Sequence, residues 1–543
     1  VYERLLENWL ADATEKTFQT PFCQMLIGQG YTILHSSRHS PIEMGKDVIA
    51  IDPEGTLKAF QLKTSPSGRL KLKDFRKIQE QMIQLLTQKV VYPGYENHTH
   101  LSYLVTNGYI EEEALRAIDD INRSYPDAPG GPLGVCAKGK LIDWAKTIQE
   151  GLWPVELRNT NTLLNIYLES GSEELSLEKM HTLLSTTLGL DSEVKLEWKE
   201  AEVKRSISSA ALITSICLKN FSLRMNHYSV IIGWALFALY AIATCERYKL
   251  DFVKNAKPAV DLAVEEIFNK LKDLCCELND REYYFQGEAL VDSVVYRGRY
   301  TLLVSLMSIY GLWLKELGET APDFLNSFIS LELAEIDFWG EGIIPQLLVY
   351  YWYIRNKDAT MGPDLALIKI INKLAKIKLS ERIDTSKNGH ILAGPYYKFD
   401  DVIRYRFGLP LSSVGEDLEN DTAQGYSFFI ESLFHLIAKK NLKQTCKILW
   451  PEISKLISVK FEPGTKWEYC LWRSKSGKET MKKFPLRQEW DEVLKEASES
   501  EAEMIPDVLK EYKYLLLLLI VMFPYRATPS LIRYLGNEFD YYW

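Results

Sequence analysis

The chain has 543 residues, and its 64 Lys plus Arg against 73 Asp plus Glu give a net charge of −9. Hydrophobic residues make up 46% and charged residues 25%. That balance excludes bulk disorder, collagen-like repeats and a small disulfide scaffold. The length predicts about two or three domains, and the acidic total excludes a histone-like positive coat without excluding a local basic groove.

Eight cysteines stand at 23, 136, 217, 245, 275, 276, 446 and 470, with no CxxC among them. The adjacent Cys275 and Cys276 suit neither a zinc cage nor an ordinary disulfide. Scattered thiols fit a reducing compartment, so a cytoplasmic location is expected. The first residues, Val1 to Arg4, carry no apolar signal core, and secretion is not expected.

In chain order, residues 1–150 mix helical and strand patterns. Helices are expected over 2–13, 18–28, 73–87 and 111–123, and strands over 32–34, 47–52, 57–63 and 101–106. Such alternation predicts one α/β domain, a mixed central sheet flanked by helices. Residues 151–205 read as a helical connector.

From 206 to 543 the strand signals fade, and the region is expected to be all-α. Helices are expected over 205–221, 228–247, 257–277, 297–316, 323–336, 344–355, 363–378, 425–439, 441–458, 487–498 and 505–524. Turn-rich breaks at 384–395 and 412–425 would allow a split near 385–425. Residues 228–245 carry no charge over about 18 positions, the lower limit for a membrane span, and are read as a buried core helix, with no membrane partner expected. Residues 462–484 mix basic and aromatic side chains and read as flanks of amphipathic helices.

The chemistry concentrates in residues 43–63. Residues 47–52 and 57–63 form the arms of an expected β-hairpin, with Pro53, Glu54 and Gly55 as its turn. On the return arm Ala59, Gln61 and Lys63 share one face, while Phe60 and Leu62 point the other way. Counting back through the turn sets Asp47 opposite residues 61–63, within one residue of register. A carboxylate, an amide oxygen and an ammonium then converge at one end of a sheet. The trio suits phosphodiester hydrolysis, in which negative charge grows on the phosphate. Mg²⁺ or Mn²⁺, held by the oxygens of Asp47 and Gln61, would neutralise that charge and activate water. Lys63 would add a fixed positive charge or orient the water.

This pattern resembles the PD-(D/E)xK nuclease superfamily, and within it the Mrr-like restriction endonucleases, whose motif runs D…QxK. Four further features run in the same order: Phe18 and Gln19 leading to Gly30 and Tyr31, the 104–108 strand end (Leu, Val, Thr, Asn, Gly), the helix from Glu111, and a closing strand at 140–143. The resemblance covers about 140 residues and implies Mg²⁺-dependent cleavage of double-stranded DNA, in bacteria for defence against foreign DNA. It assigns Asp47, Gln61 and Lys63 as catalytic. The family often has a metal-binding Glu just after the first-helix Phe, where this chain has Gln19. Glu15, one helical turn earlier, and Glu43, four residues before Asp47, are the candidates to complete the metal site, with Gln19 lining it. Pro21 suggests that the helix restarts there.

Residues 58–77 carry seven cations against the single acid Asp74. Arg69, Lys71, Lys73, Arg76 and Lys77, with Lys46 before the first strand, are expected to meet the DNA backbone, which positions a duplex without reading its bases. No GxxxxGK[ST] motif is present, so ATP would have to be bound by another subunit. The helical remainder reads as a sensor, regulatory or assembly module, and a homo-oligomer or a complex with another defence subunit is expected. Three other readings stay open at this point: a non-catalytic nucleic-acid-binding or scaffold subunit, a nuclease of RNA, and a membrane-tethered effector using residues 228–245.

Overall fold

The structure is a computed structural model. It describes residues 2–36, 45–65, 67–95, 98–149, 157–191, 198–280, 293–329, 338–357, 363–379, 395, 399, 425–474, 476–499 and 504–540. The chain divides into two compact units, Val1–Ile267 and Phe268–Trp543.

The first unit opens with helices α1 (Tyr2–Asp12) and α2 (Glu15–Gly28). Strands β1 (Thr32–Ser36), β2 (Val48–Ile51), β3 (Leu57–Lys63) and β4 (Arg69–Leu70) follow. Then come α3 (Leu72–Thr87), β5 (Leu101–Thr106), β6 (Tyr109–Ile110), α4 (Glu112–Ser124), β7 (Gly134–Cys136) and α5 (Lys138–Gln149). Five strands form one mixed sheet in the order β1-β2-β3-β5-β7. The β1–β2–β3 part is antiparallel, and β5 and β7 add in parallel. The short strands β4 and β6 pair separately.

β3 is central and nearly all buried. On one face Ala59 and Leu104 pack under Phe75, Met82, Leu85 and Leu86 of α3 and Ala114, Ile118 and Ile121 of α4. On the other, Phe60 meets Phe22 of α2 edge-on at 5.3 Å and stacks on Tyr103 at 5.4 Å. This is the expected mixed sheet flanked by helices. Pro21 does not restart α2: the helix runs through it, with Thr14 as N-cap. The closing strand expected at 140–143 is corrected. Those residues lie in α5, and the strand is the shorter β7 just before it. Leu141, Ala145 and Ile148 recur at helical spacing, and all are fully buried.

Helices alone follow among the described residues of this unit: α6 (Leu157–Tyr167), α7 (Leu177–Thr187), α8 (Glu200–Cys217), α9 (Lys219–Leu223), α10 (His227–Tyr248), α11 (Phe252–Asn255) and α12 (Lys257–Asp280), inside which the unit boundary falls. α8 packs directly on α2 and α5, so the compact unit continues well past the change of content near residue 150. The approach requires Gly28, where a Cβ would stand 2.8 Å from Ile148 and 2.9 Å from Ser208. α10 contains the apolar stretch long enough to cross a membrane, and 94% of that window is buried. It is packed as a core helix is.

The second unit is largely helical. Its described elements include α13 (Ser293–Glu316), α14 (Asp323–Ile329), α15 (Ile343–Lys357) and α16 (Pro363–Leu379). After them come β8 (Tyr426–Ser427), α17 (Ile430–Lys439), α18 (Lys443–Ile453), β9 (Ile457–Pro463) and β10 (Gly477–Lys483), then α19 (Trp490–Ser498), α20 (Asp507–Glu511), α21 (Lys513–Met522) and α22 (Pro529–Phe539). The apolar α21 is buried from Tyr514 to Met522 and packs on α13 and α15. The expectation of an all-α region is corrected by a three-stranded sheet, β10-β9-β8. The helix expected over 441–458 ends at Ile453, and the described part of 462–484, rather than flanking helices, holds the end of β9, a short 3-10 turn at Trp467–Cys470 and β10. Glu468 fastens the connection, accepting hydrogen bonds from Thr465 and from Ser476. The split suggested near 385–425 falls almost entirely outside the described residues.

Candidate active site

The site begins with the β2–β3 turn. Asp52 Oδ1 accepts the backbone N–H groups of Glu54 at 3.1 Å and Thr56 at 2.7 Å, an Asx turn that folds the chain back. Gly55 takes φ +85°, which an L side chain resists. The turn fixes the register, with Val48 opposite Phe60, and the Asp47 N–H continues the ladder to the Phe60 carbonyl at 2.9 Å. Asp47 therefore faces Gln61.

Its side chain takes over where the backbone ladder stops. Asp47 Oδ2 accepts from Gln61 Nε2 at 2.8 Å and from the Leu62 N–H at 2.7 Å. Gln61 is only 4% exposed, and its Oε1 accepts no hydrogen bond among the described residues. Two residues on, Lys63 Nζ pairs with Glu15 Oε2 at 3.1 Å, from the first turn of α2. Asp47, Gln61, Lys63 and Glu15 are thus gathered at one end of the sheet.

The other candidates go different ways. Gln19 donates from Nε2 to Ser36 Oγ at 2.9 Å, at the end of β1. Glu43 lies outside the described residues. Lys46 is turned inside rather than out to solvent, with 3% exposure, and burial pushes its pKa down to about 8. Arg69, Lys71, Lys73, Arg76 and Lys77 are exposed around β4 and the start of α3, with Lys77 paired to Asp74 at 2.7 Å.

The 104–108 strand end supplies a positioning residue. Asn107, at the end of β5, is 2% exposed. Its Oδ1 accepts from the Ser65 N–H at 2.8 Å, and its Nδ2 donates to the carbonyls of Leu10 at 2.7 Å and Ala13 at 3.2 Å. It ties the exit of β3 to the α1–α2 corner, and so holds Lys63 near Glu15.

The donor set suits a hard divalent cation in kind. A buried amide oxygen without a donor costs free energy, and Mg²⁺ takes carboxylate and carbonyl oxygens while keeping several waters. Asp47 and Gln61 Oε1 are such donors, and the Glu15 carboxylate at the same sheet end is engaged by Lys63. Among the described residues no three His, Cys, Asp or Glu side chains form a ready-made cage. The chain matches no family model, no curated protein and no solved structure.

Proposed function

We propose that residues 1–150 act as a Mg²⁺- or Mn²⁺-dependent endonuclease on double-stranded DNA. The observation that supports this is the Asp47–Gln61 contact with Lys63 two residues away on the same strand face. Asp47 fixes the Gln61 amide by taking its N–H, which leaves the carbonyl oxygen as a ligand. The cation, when bound there, would neutralise phosphate charge and lower the pKa of water. Lys63 places a positive charge where negative charge develops on the phosphate, and Glu15 holds that ammonium in position.

Supercoiled plasmid with Mg²⁺ or Mn²⁺ tests the reading. Relaxed and linear products from the wild type, and none from Lys63→Met, support it. Plasmid that is bound and never nicked overturns it.

That second outcome would favour a non-catalytic DNA-binding or scaffold subunit. A specific observation speaks for this rival: Asp47 Oδ2 already serves two protein donors, and Lys63 is already neutralised by Glu15. Within the nuclease reading, the protein is the effector of a bacterial defence against foreign DNA, cytoplasmic, and assembled with copies of itself or with a second subunit. Residues 206–543 restrain or target it, since an unregulated nuclease would cut host DNA. A labelled RNA duplex in the same assay separates DNA from RNA as substrate.

A further inference from the structure

A cavity of about 190 Å³ opens on the Lys63 side of the candidate site. It is walled by the segment that leaves β3, by β4, and by the start of α3. Three cations line it, Lys63, Arg69 and Lys77, together with Thr64, Ser65 and Ser67. Two acids, Glu15 and Asp74, complete the charge set. Each acid is already spent on a lysine, Glu15 on Lys63 at 3.1 Å and Asp74 on Lys77 at 2.7 Å. Arg69 is left over: its guanidinium has no ion pair or hydrogen bond among the described residues. The lining therefore carries one surplus positive charge.

The walls are built rather than loose. Ser65 is 4% exposed and anchored through its N–H to Asn107. β4 is pinned to β6, and the Tyr109 N–H reaches the Gly68 carbonyl at 2.9 Å. Gly108 permits that approach, because a Cβ there would lie 2.9 Å from the Gly68 carbonyl. Drug-sized ligands occupy roughly 300–1,000 Å³. This space is too small for a whole nucleotide with its neighbours, and suits one tetrahedral oxyanion with its hydration.

We infer that the cavity seats a single phosphate group of the nucleic-acid backbone, with Arg69 as its principal partner. The inference rests on the nuclease reading and adds to it a subsite beside Asp47 and Gln61. One surplus charge matches the single charge of an internal phosphodiester. A terminal phosphate, at roughly −1.5 to −2, is the other source of the same chemistry.

The test measures binding of a fluorescent duplex by the full chain in EDTA, over a range of salt. Arg69→Gln removes the guanidinium. Ser67→Phe fills the exposed rim of the cavity without changing charge. A seated phosphate predicts roughly tenfold weaker binding for each variant, and a log K against log salt slope shallower by about 1. The same loss on a closed circle identifies an internal diester. A loss confined to 5′-phosphorylated ends identifies a terminal one. Weaker binding from Arg69→Gln with none from Ser67→Phe overturns the cavity in favour of a diffuse surface contact, and unchanged binding in both overturns it outright. If the wild type nicks plasmid while both variants bind normally, the subsite fails alone. If the wild type binds no DNA, the nuclease reading fails with it.

Discussion

Asp47 does two things that one substitution can separate. Its Oδ2 accepts from Gln61 Nε2 and the Leu62 N–H, and neither residue has more than 4% of its surface in contact with solvent. Asp47→Ala leaves both donors with little water to replace the carboxylate. At roughly 1.5–3 kcal/mol for each hydrogen bond to a charged group, the loss is about 3–6 kcal/mol. For a unit of 267 residues, at about 2 °C per kcal/mol, the unfolding midpoint should fall by about 6–12 °C. Asp47→Asn keeps an acceptor oxygen in the same place and gives up the charge and the second oxygen, so about 1 kcal/mol and about 2 °C are expected. Scanning calorimetry on the full chain, paired with plasmid nicking in Mg²⁺, reads both quantities. Asp47→Asn should lose at least about 100-fold in nicking while nearly keeping its midpoint. An Asp47→Ala midpoint within about 1 °C of wild type would refute the claim that this carboxylate holds the strand end.

Three more outcomes are expected. Gln61→Glu puts a second carboxylate against Asp47 and removes the N–H that now bridges them, so the variant should melt lower without metal and gain more from Mg²⁺ than the wild type does; equal gains would count against a metal between the two residues. Asn107→Ala strips three hydrogen bonds from the corner that positions Lys63, at about 2–4 kcal/mol by denaturant titration, and should slow nicking even under conditions where the variant stays folded. In the second unit, the His435 ring, 3.6 Å away, and then the Lys482 ammonium, at 3.0 Å, hold the Glu496 carboxyl down to about 2. A depressed carboxyl contributes its stability above its unfolded value of 4.5 and loses it as pH falls toward 2. With the side chain 37% exposed, solvent screening leaves about 1–2 kcal/mol. Glu496→Gln should cost that much at pH 7, and the gap should close by about pH 2; a constant gap would contradict the assignment.

The hairpin was legible because its signals are local. Pro53 and Gly55 mark the turn, alternation marks the arms, and counting residues places Asp47 opposite 61–63 within one residue, which the structure narrows to Gln61. Strands 57–63 and 101–106 match their expected limits for the same reason. The closing strand was misplaced because β7 is three residues long, too short to show alternation, while the apolar residues of 140–143 are the first of a helical series. The C-terminal sheet was hidden by β10, an exposed edge rich in lysine with no apolar face to betray it. Asn107 stands in the 104–108 motif, but its hydrogen bonds span 42, 94 and 97 residues, so the motif marks its place and not what it holds together. The Glu15–Lys63 pair depends on the same long-range closure.

The most direct test of the central claim is the location of bound Mn²⁺ by anomalous diffraction from crystals of the full chain with duplex DNA. The account predicts a peak between the Asp47 carboxylate and Gln61 Oε1, with Lys63 facing the nearest phosphate. Clear density for DNA at this site with no metal peak there, or with Mn²⁺ held only elsewhere, would contradict it.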